Sequence, residues 1–195
     1  MVFCYYDIMI GIDEVGRGCW AGPLLVVAVR QTSQLPKGLA DSKQLTKLSR
    51  ESLVNGISQS GDIGEGWVAP AEIDSNGLTK AMRLGVMRAL TAIKATSDET
   101  IIMDGPINYC SSTYTNVSCV IDADALHPLV SAASVWAKVV RDQYMAKQAQ
   151  LYPDYGFDSN VGYGTAKHIK ALQDFGLTPL HRLSFKPVRK LHEQH

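Results

Sequence analysis

The sequence predicts an α/β domain built on a mixed sheet. Short apolar runs come first and lie close together, and longer stretches with helical spacing come between and after them. No internal repeat or low-complexity segment interrupts this order. The chain has 195 residues, of which 46% are hydrophobic, and this is enough for one sizeable core but short for two. We therefore expect a single domain over residues 1–195.

The predicted strands are short apolar runs. Residues 8–12 and 24–29 are bounded by Gly and Pro and are joined by a glycine-rich turn. A third strand is expected around residues 66–69. The segments "TIIMDG" and "VSCVI" predict two more strands, and each of them runs into an aspartate.

The predicted helices lie between and after these strands. Residues 78–93 carry apolar side chains at helical spacing, and residues 74–77 supply the signals of a helix start. The clearest helix is expected over residues 131–150, where one stripe contains Val135, Trp136, Val139 and Val140. The tail is predicted to be helical over residues 166–175, with a loop at residues 176–179.

Composition excludes several classes of protein. The longest apolar runs, residues 24–29 and 130–137, are far shorter than the roughly 18 residues of a membrane helix. The start, "MVFCYYDIMIGIDE", has neither a basic leader nor a small-residue cleavage site, so we expect a cytoplasmic protein. The four cysteines lack the paired spacing of a zinc site. Net charge is zero, but six Lys and Arg against two acids from residue 163 onward form a basic flank.

Acidic side chains follow three of the predicted strands: Asp13 with Glu14, Asp104, and Asp124. The carboxyl ends of strands are where α/β sheets usually build their sites. Two carboxylates about 4 Å apart repel by about 4 kcal/mol at an effective dielectric constant near 20, so a cation is needed among them. Oxygen ligands without a competing His or Cys favour Mg²⁺ or Mn²⁺. Two such ions are the usual apparatus for cleaving a phosphodiester.

Structural roles for the same acids stay open at this point. Asp104 precedes a glycine and is typical of a turn, and Asp124 is as well suited to cap the following helix as to bind a metal. Asp13 and Glu14 are harder to explain in this way, because side chains alternate along a strand and one of the two would face inward unpaired. Spacing alone therefore does not decide between a metal site and structural acids.

Six motifs occur here in the order that one enzyme family shows: "GIDEVGRG" followed by "AGP", "DSKQLT", "MDG", "SAASVWAKVVRD", "GYGT" and "HRLSF". They cover nearly the whole chain, and the sequence resembles type 2 ribonuclease H (ribonuclease HII). The resemblance implies a ribonuclease H-like fold, with a five-stranded mixed sheet flanked by helices. It also implies a C-terminal helical extension, roughly residues 163–195.

The resemblance implies a divalent-metal endonuclease that cuts the RNA strand of RNA-DNA hybrids. Such enzymes also nick duplex DNA on the 5′ side of an embedded ribonucleotide, and they leave 3′-hydroxyl and 5′-phosphate ends. By position, the implied catalytic residues and ligands of a two-ion Mg²⁺ or Mn²⁺ site are Asp13, Glu14, Asp104 and Asp124. The acids at the predicted strand ends and the family's acids are the same residues.

The resemblance also implies which residues bind the substrate. The backbone of Gly16, Arg17 and Gly18 is expected to hydrogen-bond the 2′-hydroxyl that distinguishes RNA from DNA. Tyr163 is expected to pack on the neighbouring sugar and to make the enzyme sensitive to the RNA-DNA junction. The remaining residues match a phosphate-contacting loop and the motif near the basic flank: Ser42, Lys43, Arg182 and Ser184.

Several positions differ from the usual family pattern: Cys19, Trp20, Gln44 and Asp122. They put affinity and metal preference in doubt more than the reaction. An alternative function is a catalytically idle module that binds RNA-DNA hybrids without cutting them. We expect a monomer whose partners are RNA-DNA hybrid and ribonucleotide-containing duplex DNA, with no membrane association.

Overall fold

A single five-stranded mixed sheet organises the computed structural model, which describes residues 9–39 and 46–193. The strands are β1 (Met9–Val15), β2 (Leu24–Gln31), β3 (Gly61–Val68), β4 (Thr100–Asp104) and β5 (Val117–Val120). Their order across the sheet is β3-β2-β1-β4-β5. Strand β2 is antiparallel to β1 and β3, whereas β4 is parallel to β1 and β5. The predicted five-stranded mixed sheet is confirmed.

Helices cover the sheet and form the C-terminal part of the chain. They are α1 (Lys47–Ser60), α2 (Pro70–Asn76), α3 (Leu78–Ala92), α4 (Ala123–Leu126), α5 (Pro128–Leu151), α6 (Phe157–Asn160), α7 (Ala166–Phe175) and α8 (Lys186–His192). The predicted helices at 78–93, 131–150 and 166–175 correspond to α3, α5 and α7. Helix α5 begins earlier than expected because Pro128 lies in its first turn, where a missing N–H costs nothing. Within the described residues, no helix is long and apolar enough to cross a membrane.

Strand β2 lies at the centre of the core because both of its faces are buried. One face packs toward α3 through Leu24, Val26 and Ala28. The opposite face packs toward α1 and α5 through Leu25, Val27 and Val29. Burial of each such aliphatic side chain contributes about 1.5–3 kcal/mol. The domain therefore has three layers, with the sheet between α3 on one side and α1 and α5 on the other.

Glycines in β3 let helix α3 lie directly on the sheet. A Cβ added at Gly64 would overlap the carbonyl of Ala89, and one added at Gly66 would overlap the carbonyl of Gly85. These glycines also explain why the predicted third strand was too short. Its first half, "GDIGE", carries little apolar signal, so sequence patterning detects only the end of β3.

The parallel pairing of β1 with β4 determines where the acids lie. Ile12 is opposite Met103 in this pair, so the residues that follow, Asp13 and Asp104, reach the same edge of the sheet. Helix α5 packs closely against β1, because a Cβ at Gly11 would lie 2.5 Å from the backbone of Leu129. The first half of α5 therefore runs past the ends of the strands that carry the acids.

The close contact between α3 and β3 can be tested with Gly66→Ala. The added methyl group has no room beside the carbonyl of Gly85, and we expect a loss of about 2–3 kcal/mol in the free energy of unfolding. Denaturant unfolding measures the change. Gly18→Ala is the control, because its Cβ would find only Tyr163 Cε1, at 4.0 Å, and it should leave stability unchanged. Equal stability of the two variants would contradict the close contact.

Candidate active site

Asp13, Glu14 and Asp104 come together where β1 and β4 end. Asp13 is only 7% exposed, and this burial is the main reason that its pKa is raised to about 7. A hydrogen bond from Ser134 opposes the rise, whereas repulsion by Glu14 and then by Asp104 adds to it. Burial also raises the pKa of Glu14, with Arg17 acting in the opposite direction. The three carboxyl groups therefore share a site that disfavours the negative charge of Asp13 and Glu14.

Asp124 reaches the same region on the short helix α4. The N–H of Ala123 donates to Oδ1 of Asp104 at 2.7 Å, which joins the start of α4 to the end of β4. Asp124 is buried, with 5% of its surface exposed. It is not a helix cap, since the N-cap of α4 is Asp122 and that of α5 is His127. Asp104 thus accepts a backbone hydrogen bond from α4 in addition to lying among the acids. The capping role considered for Asp124 is not observed.

A cleft of about 210 Å³ opens beside these acids. Glu14 and Asp124 both line it, together with Val15, Arg50, Ser134, Val135 and Lys138. Lys138 also forms the ion pair with Asp142 that their spacing along α5 suggests, at 2.9 Å. The cleft therefore presents carboxylates next to cationic side chains, a combination suited to a metal ion and a phosphate group.

The chemistry of the acids fits a hard divalent cation. Every predicted ligand is a carboxylate, and carboxylate oxygens are the ligands that Mg²⁺ and Mn²⁺ prefer. Among residues 9–39 and 46–193, no three His, Cys, Asp or Glu side chains are placed to hold one ion together. Mg²⁺ usually binds one or two carboxylates and keeps several waters, so a ligand set made only of carboxylates suits this kind of ion better than zinc.

The turn that follows β1 is held from inside the protein by Arg141 of α5. This side chain is fully buried, and its guanidinium donates to the carbonyls of Pro23 at 2.8 Å, Val161 at 2.9 Å and Ala21 at 3.2 Å. Gly16 has φ of 84°, and a Cβ there would overlap the guanidinium. Glycine is needed at this position for both reasons.

A second buried arginine, Arg182, holds the same turn from the C-terminal side. Its guanidinium donates twice to the carbonyl of Gly22, at 3.0 and 2.8 Å, and once to the carbonyl of Arg17, at 3.0 Å. Burial lowers its pKa to about 10. The sequence suggested that Arg182 contacts a phosphate, but the side chain is fully buried and is not placed to do so. We interpret it as a positioning residue.

Ser184 is engaged with Asp74 of α2. Its N–H and its hydroxyl both donate to Oδ1 of Asp74, at 2.9 and 2.6 Å, and the N–H of Leu183 donates to Oδ2 at 2.8 Å. Asp74 therefore fixes the segment next to Arg182. The other two predicted phosphate-contacting residues, Ser42 and Lys43, lie outside the described residues.

The side chain of Arg17 bridges the acids and a buried tyrosine. It donates to Glu14 Oε1 at 3.4 Å and to the hydroxyl of Tyr109 at 3.2 Å. The guanidinium carbon also lies 6.0 Å from the centre of the Tyr109 ring. Sequence reasoning missed Tyr109, because nothing in its local pattern distinguishes it from an ordinary loop tyrosine. Arg141 did give a signal, since it shares an i, i+4 stripe of α5 with Ala137 and Met145.

Tyr163 lies beside the turn that contains Gly18. Its side chain is half-exposed, and a Cβ at Gly18 would lie 4.0 Å from its Cε1 atom. The backbone N–H of Trp20 donates to the carbonyl of Gly162 at 2.8 Å, which joins the two loops. The unusual Trp20 side chain occupies the space over Gly164, where a Cβ would overlap its ring. The Cys19 thiol donates to the carbonyl of Val161 at 3.6 Å, so both unusual side chains contact the loop that contains Tyr163.

The stability of Asp13→Asn should depend on pH. The pKa of Asp13 in the folded protein, about 7, exceeds its ordinary value of 3.8, so ionised Asp13 destabilises the fold above pH 7 and this cost disappears as pH falls toward 4. The substitution should therefore stabilise the protein by up to about 4 kcal/mol at pH 8 and by little at pH 4.

Thermal unfolding in EDTA at the two pH values measures this difference. Asp158→Asn, at an exposed position in the first turn of α6, is the control and should show no such gain. A stabilisation of Asp13→Asn that is the same at pH 8 and pH 4 would contradict the assignment of a buried, repelled carboxyl.

Comparison with known proteins assigns the chain to a family. The family model described as ribonuclease HII matches residues 10–188. A protein named ribonuclease HII from Cupriavidus metallidurans is 42% identical over 191 residues, which cover 94% of this chain and 82% of that protein. The crystal structure of ribonuclease H2 from Pyrococcus horikoshii OT3 has a TM-score of 0.79 and 26% identity and covers 95% of this chain and 97% of that one. Bst-RNase HIII, in a crystal structure of its complex with Mn²⁺, shares the fold, with a TM-score of 0.71 and 20% identity over 96% of this chain and 71% of that one. The resemblance seen in the sequence is confirmed, and the chain belongs to the ribonuclease HII family of hydrolytic nucleases.

Proposed function

We propose that this protein is a metal-dependent endoribonuclease that cleaves the RNA strand of RNA-DNA hybrids. It also nicks duplex DNA on the 5′ side of an embedded ribonucleotide and leaves 3′-hydroxyl and 5′-phosphate ends. One observation carries the proposal: the acids at the end of β1 continue directly into a glycine-rich turn that is clamped beside Tyr163. A site for hydrolysis and a surface for reading the sugar are thus neighbours.

The proposed metal ligands are Asp13, Glu14, Asp104 and Asp124. Two divalent ions bound there would supply an activated water and stabilise the leaving oxygen. The Mn²⁺ in the named complex of Bst-RNase HIII supports a site for Mg²⁺ or Mn²⁺ on this fold. Burial raises the pKa of Asp13 and Glu14, and a bound cation would compensate the negative charge that this burial disfavours.

The proposed reader of the 2′-hydroxyl is the backbone of Gly16, Arg17 and Gly18. Arg182 holds the carbonyl of Arg17, so this backbone is already fixed before substrate binds. Gly18 has no Cβ, and the space beside it is open apart from the Tyr163 ring. A site whose polar groups pair with a substrate hydroxyl can reject the analogue that lacks it by a factor of about 10⁴.

Tyr163 is proposed to pack on the sugar next to the ribonucleotide. Its ring is half-exposed and adjoins the Gly18 turn, so a nucleotide bound at the turn has an aromatic face beside it. The contact would make cleavage sensitive to the junction between RNA and DNA. Ser42 and Lys43 are proposed to contact phosphates, together with the segment that contains Ser184.

The remaining expectations concern the whole protein. We propose one catalytic domain over residues 1–195, with a C-terminal helical extension from roughly residue 163 onward. In the described part of this extension, α7 and the segment around Leu180 share a hydrophobic cluster with Ala21 and Met145. Monomeric state and cytoplasmic location stay predictions.

Cleavage of a labelled DNA duplex that contains one ribonucleotide tests the proposed function. The duplex is incubated with Mg²⁺, with Mn²⁺ and with EDTA, beside an all-DNA duplex and a long hybrid. A metal-dependent nick 5′ to the ribonucleotide, absent from the all-DNA control, is the expected result. Cleavage of the long hybrid alone would contradict the reading of single ribonucleotides. Binding of the hybrid without cleavage in any metal would favour the idle binding module instead.

Gly18→Ala tests the reader separately from the fold. The added methyl group fits within the protein but stands where the sugar must approach, so we expect at least a tenfold loss of kcat/KM on the embedded ribonucleotide. Unfolding measurements on the same sample should match the unsubstituted protein. Full activity on the embedded ribonucleotide would contradict the proposed approach of the sugar to this backbone.

Tyr163→Ala and Tyr163→Phe test the junction contact. Loss of the ring should reduce kcat/KM about tenfold on the single ribonucleotide and much less on the long hybrid, because a long hybrid offers many alternative positions. Tyr163→Phe keeps the ring and should behave like the unsubstituted protein. Equal losses on both substrates for Tyr163→Ala would count against a role at the junction.

A further inference from the structure

The backbone of Tyr163 is held by a buried pair of histidines that takes no part in the proposed chemistry. The rings belong to His168 of α7 and to His181, which are 0% and 3% exposed. Nδ1 of His168 lies 3.0 Å from the carbonyl oxygen of Tyr163. The Nε2 atoms of the two rings lie 2.9 Å apart. The pair thus connects the C-terminal segment to the loop that presents the Tyr163 ring.

The partners of the two rings determine where their protons lie. The N–H of Thr178 donates to Nδ1 of His181 at 2.9 Å, so in the neutral ring the proton is on Nε2. That proton is donated to Nε2 of His168, which must therefore carry its own proton on Nδ1. Nδ1–H of His168 then donates to the carbonyl of Tyr163, which only accepts. This arrangement of protons satisfies the hydrogen bonds from the N–H of Thr178 to the carbonyl of Tyr163, and the hydroxyl of Thr178 can donate to the same Nδ1 at 3.0 Å. The contact of 3.3 Å between Nδ1 and the carbonyl of Thr178 carries no hydrogen bond in this arrangement.

The surroundings keep both rings neutral. Phe157 and Tyr155 lie against them, with ring centres 5.4 Å from His168 and 5.4 Å from His181 respectively. Burial lowers the pKa of both histidines, in the case of His181 to about 4, with repulsion from His168 as the next cause. All four ring nitrogens are occupied by protein groups, so neither histidine is available as a general acid or base.

We propose that His168 is a positioning residue that sets the orientation of Tyr163, and that His181 holds His168 in the proton arrangement that this requires. The inference rests on the proposed junction contact of Tyr163 and deepens it. The carbonyl of Tyr163 also accepts from the N–H of Thr165 at 2.8 Å, and the hydroxyl of Thr165 accepts from the N–H of His168 at 3.3 Å. The His168 side chain adds a second hold on the same peptide group and so restrains the backbone from which the aromatic ring projects.

Two substitutions at His168 separate its contacts. The side-chain amide of Asn reaches the position of Nδ1 and can still donate to the carbonyl of Tyr163, whereas that of Gln reaches the position of Nε2 and can meet only His181. We therefore expect His168→Asn to retain the preference for the single ribonucleotide and His168→Gln to reduce it. The measured quantity is the ratio of kcat/KM on the embedded ribonucleotide to kcat/KM on the long hybrid, and loss of one hydrogen bond should lower it about fivefold.

Double variants that combine His168→Gln with Tyr163→Ala show whether His168 changes the ratio through Tyr163. His168→Gln should change the ratio when Tyr163 is present and leave it unchanged in the Tyr163→Ala background. A merely structural histidine would lower thermal stability and both activities equally, without changing the ratio. That result, or the same change of ratio in both backgrounds, would overturn the inference.

A second variant covers the case in which His168→Gln does not fold. His181→Asn keeps an acceptor for Thr178 but removes the donor to His168, and it should shift the ratio in the same direction by a smaller factor. A ratio equal to that of the unsubstituted protein would overturn the proposed role of His181.

If Tyr163→Ala alone leaves the ratio unchanged, the junction contact itself fails, and the inference fails with it. A change with Tyr163→Ala but none with His168→Gln refutes only the positioning role.

Discussion

Two buried guanidinium groups that donate to the carbonyls of one turn are the interaction on which the site depends. Arg141 reaches the turn from the long helix, and Arg182 reaches it from the C-terminal segment. Backbone carbonyls accept the hydrogen bonds of both guanidinium groups. A buried charge is tolerated only when its hydrogen bonds are made. The sheet, the long helix and the C-terminal segment are consequently joined at the backbone that we propose reads the sugar.

The acids place the opposite demand on the fold. Asp13 is buried next to Glu14 and Asp104, an arrangement that raises its pKa and costs stability in the absence of a cation. The apolar layers on both faces of β2 offset that cost. Packing through glycine brings α5 against β1, the strand that carries Asp13 and Glu14, and α3 against β3. The packed layers of the sheet thus support a site whose carboxylates repel one another.

Sequence patterning predicts the features that depend on local periodicity or on a strand end. It identified helices α3, α5 and α7 and most of the strand positions but missed α1, and it singled out Asp13, Glu14 and Asp104 because each ends an apolar run. It failed where a residue's environment comes from distant segments. Arg182 has the sequence surroundings of a surface base, yet it is buried by carbonyls 160 and 165 residues away. The bond from Ser184 to Asp74 spans 110 residues and is equally invisible in the pattern.

The distance in sequence between Arg182 and its turn has a consequence during synthesis. Strands β1 to β5 and helix α5 end by residue 151, so all four acids are translated before Arg182. The contact that spans 165 residues can form only after Arg182 has been translated, and closing so long a loop costs more entropy than closing a short one. On the proposed roles, a nascent chain acquires the groups that cleave before it acquires the clamp that directs them to ribonucleotides. Selectivity is then the final property that the growing protein gains.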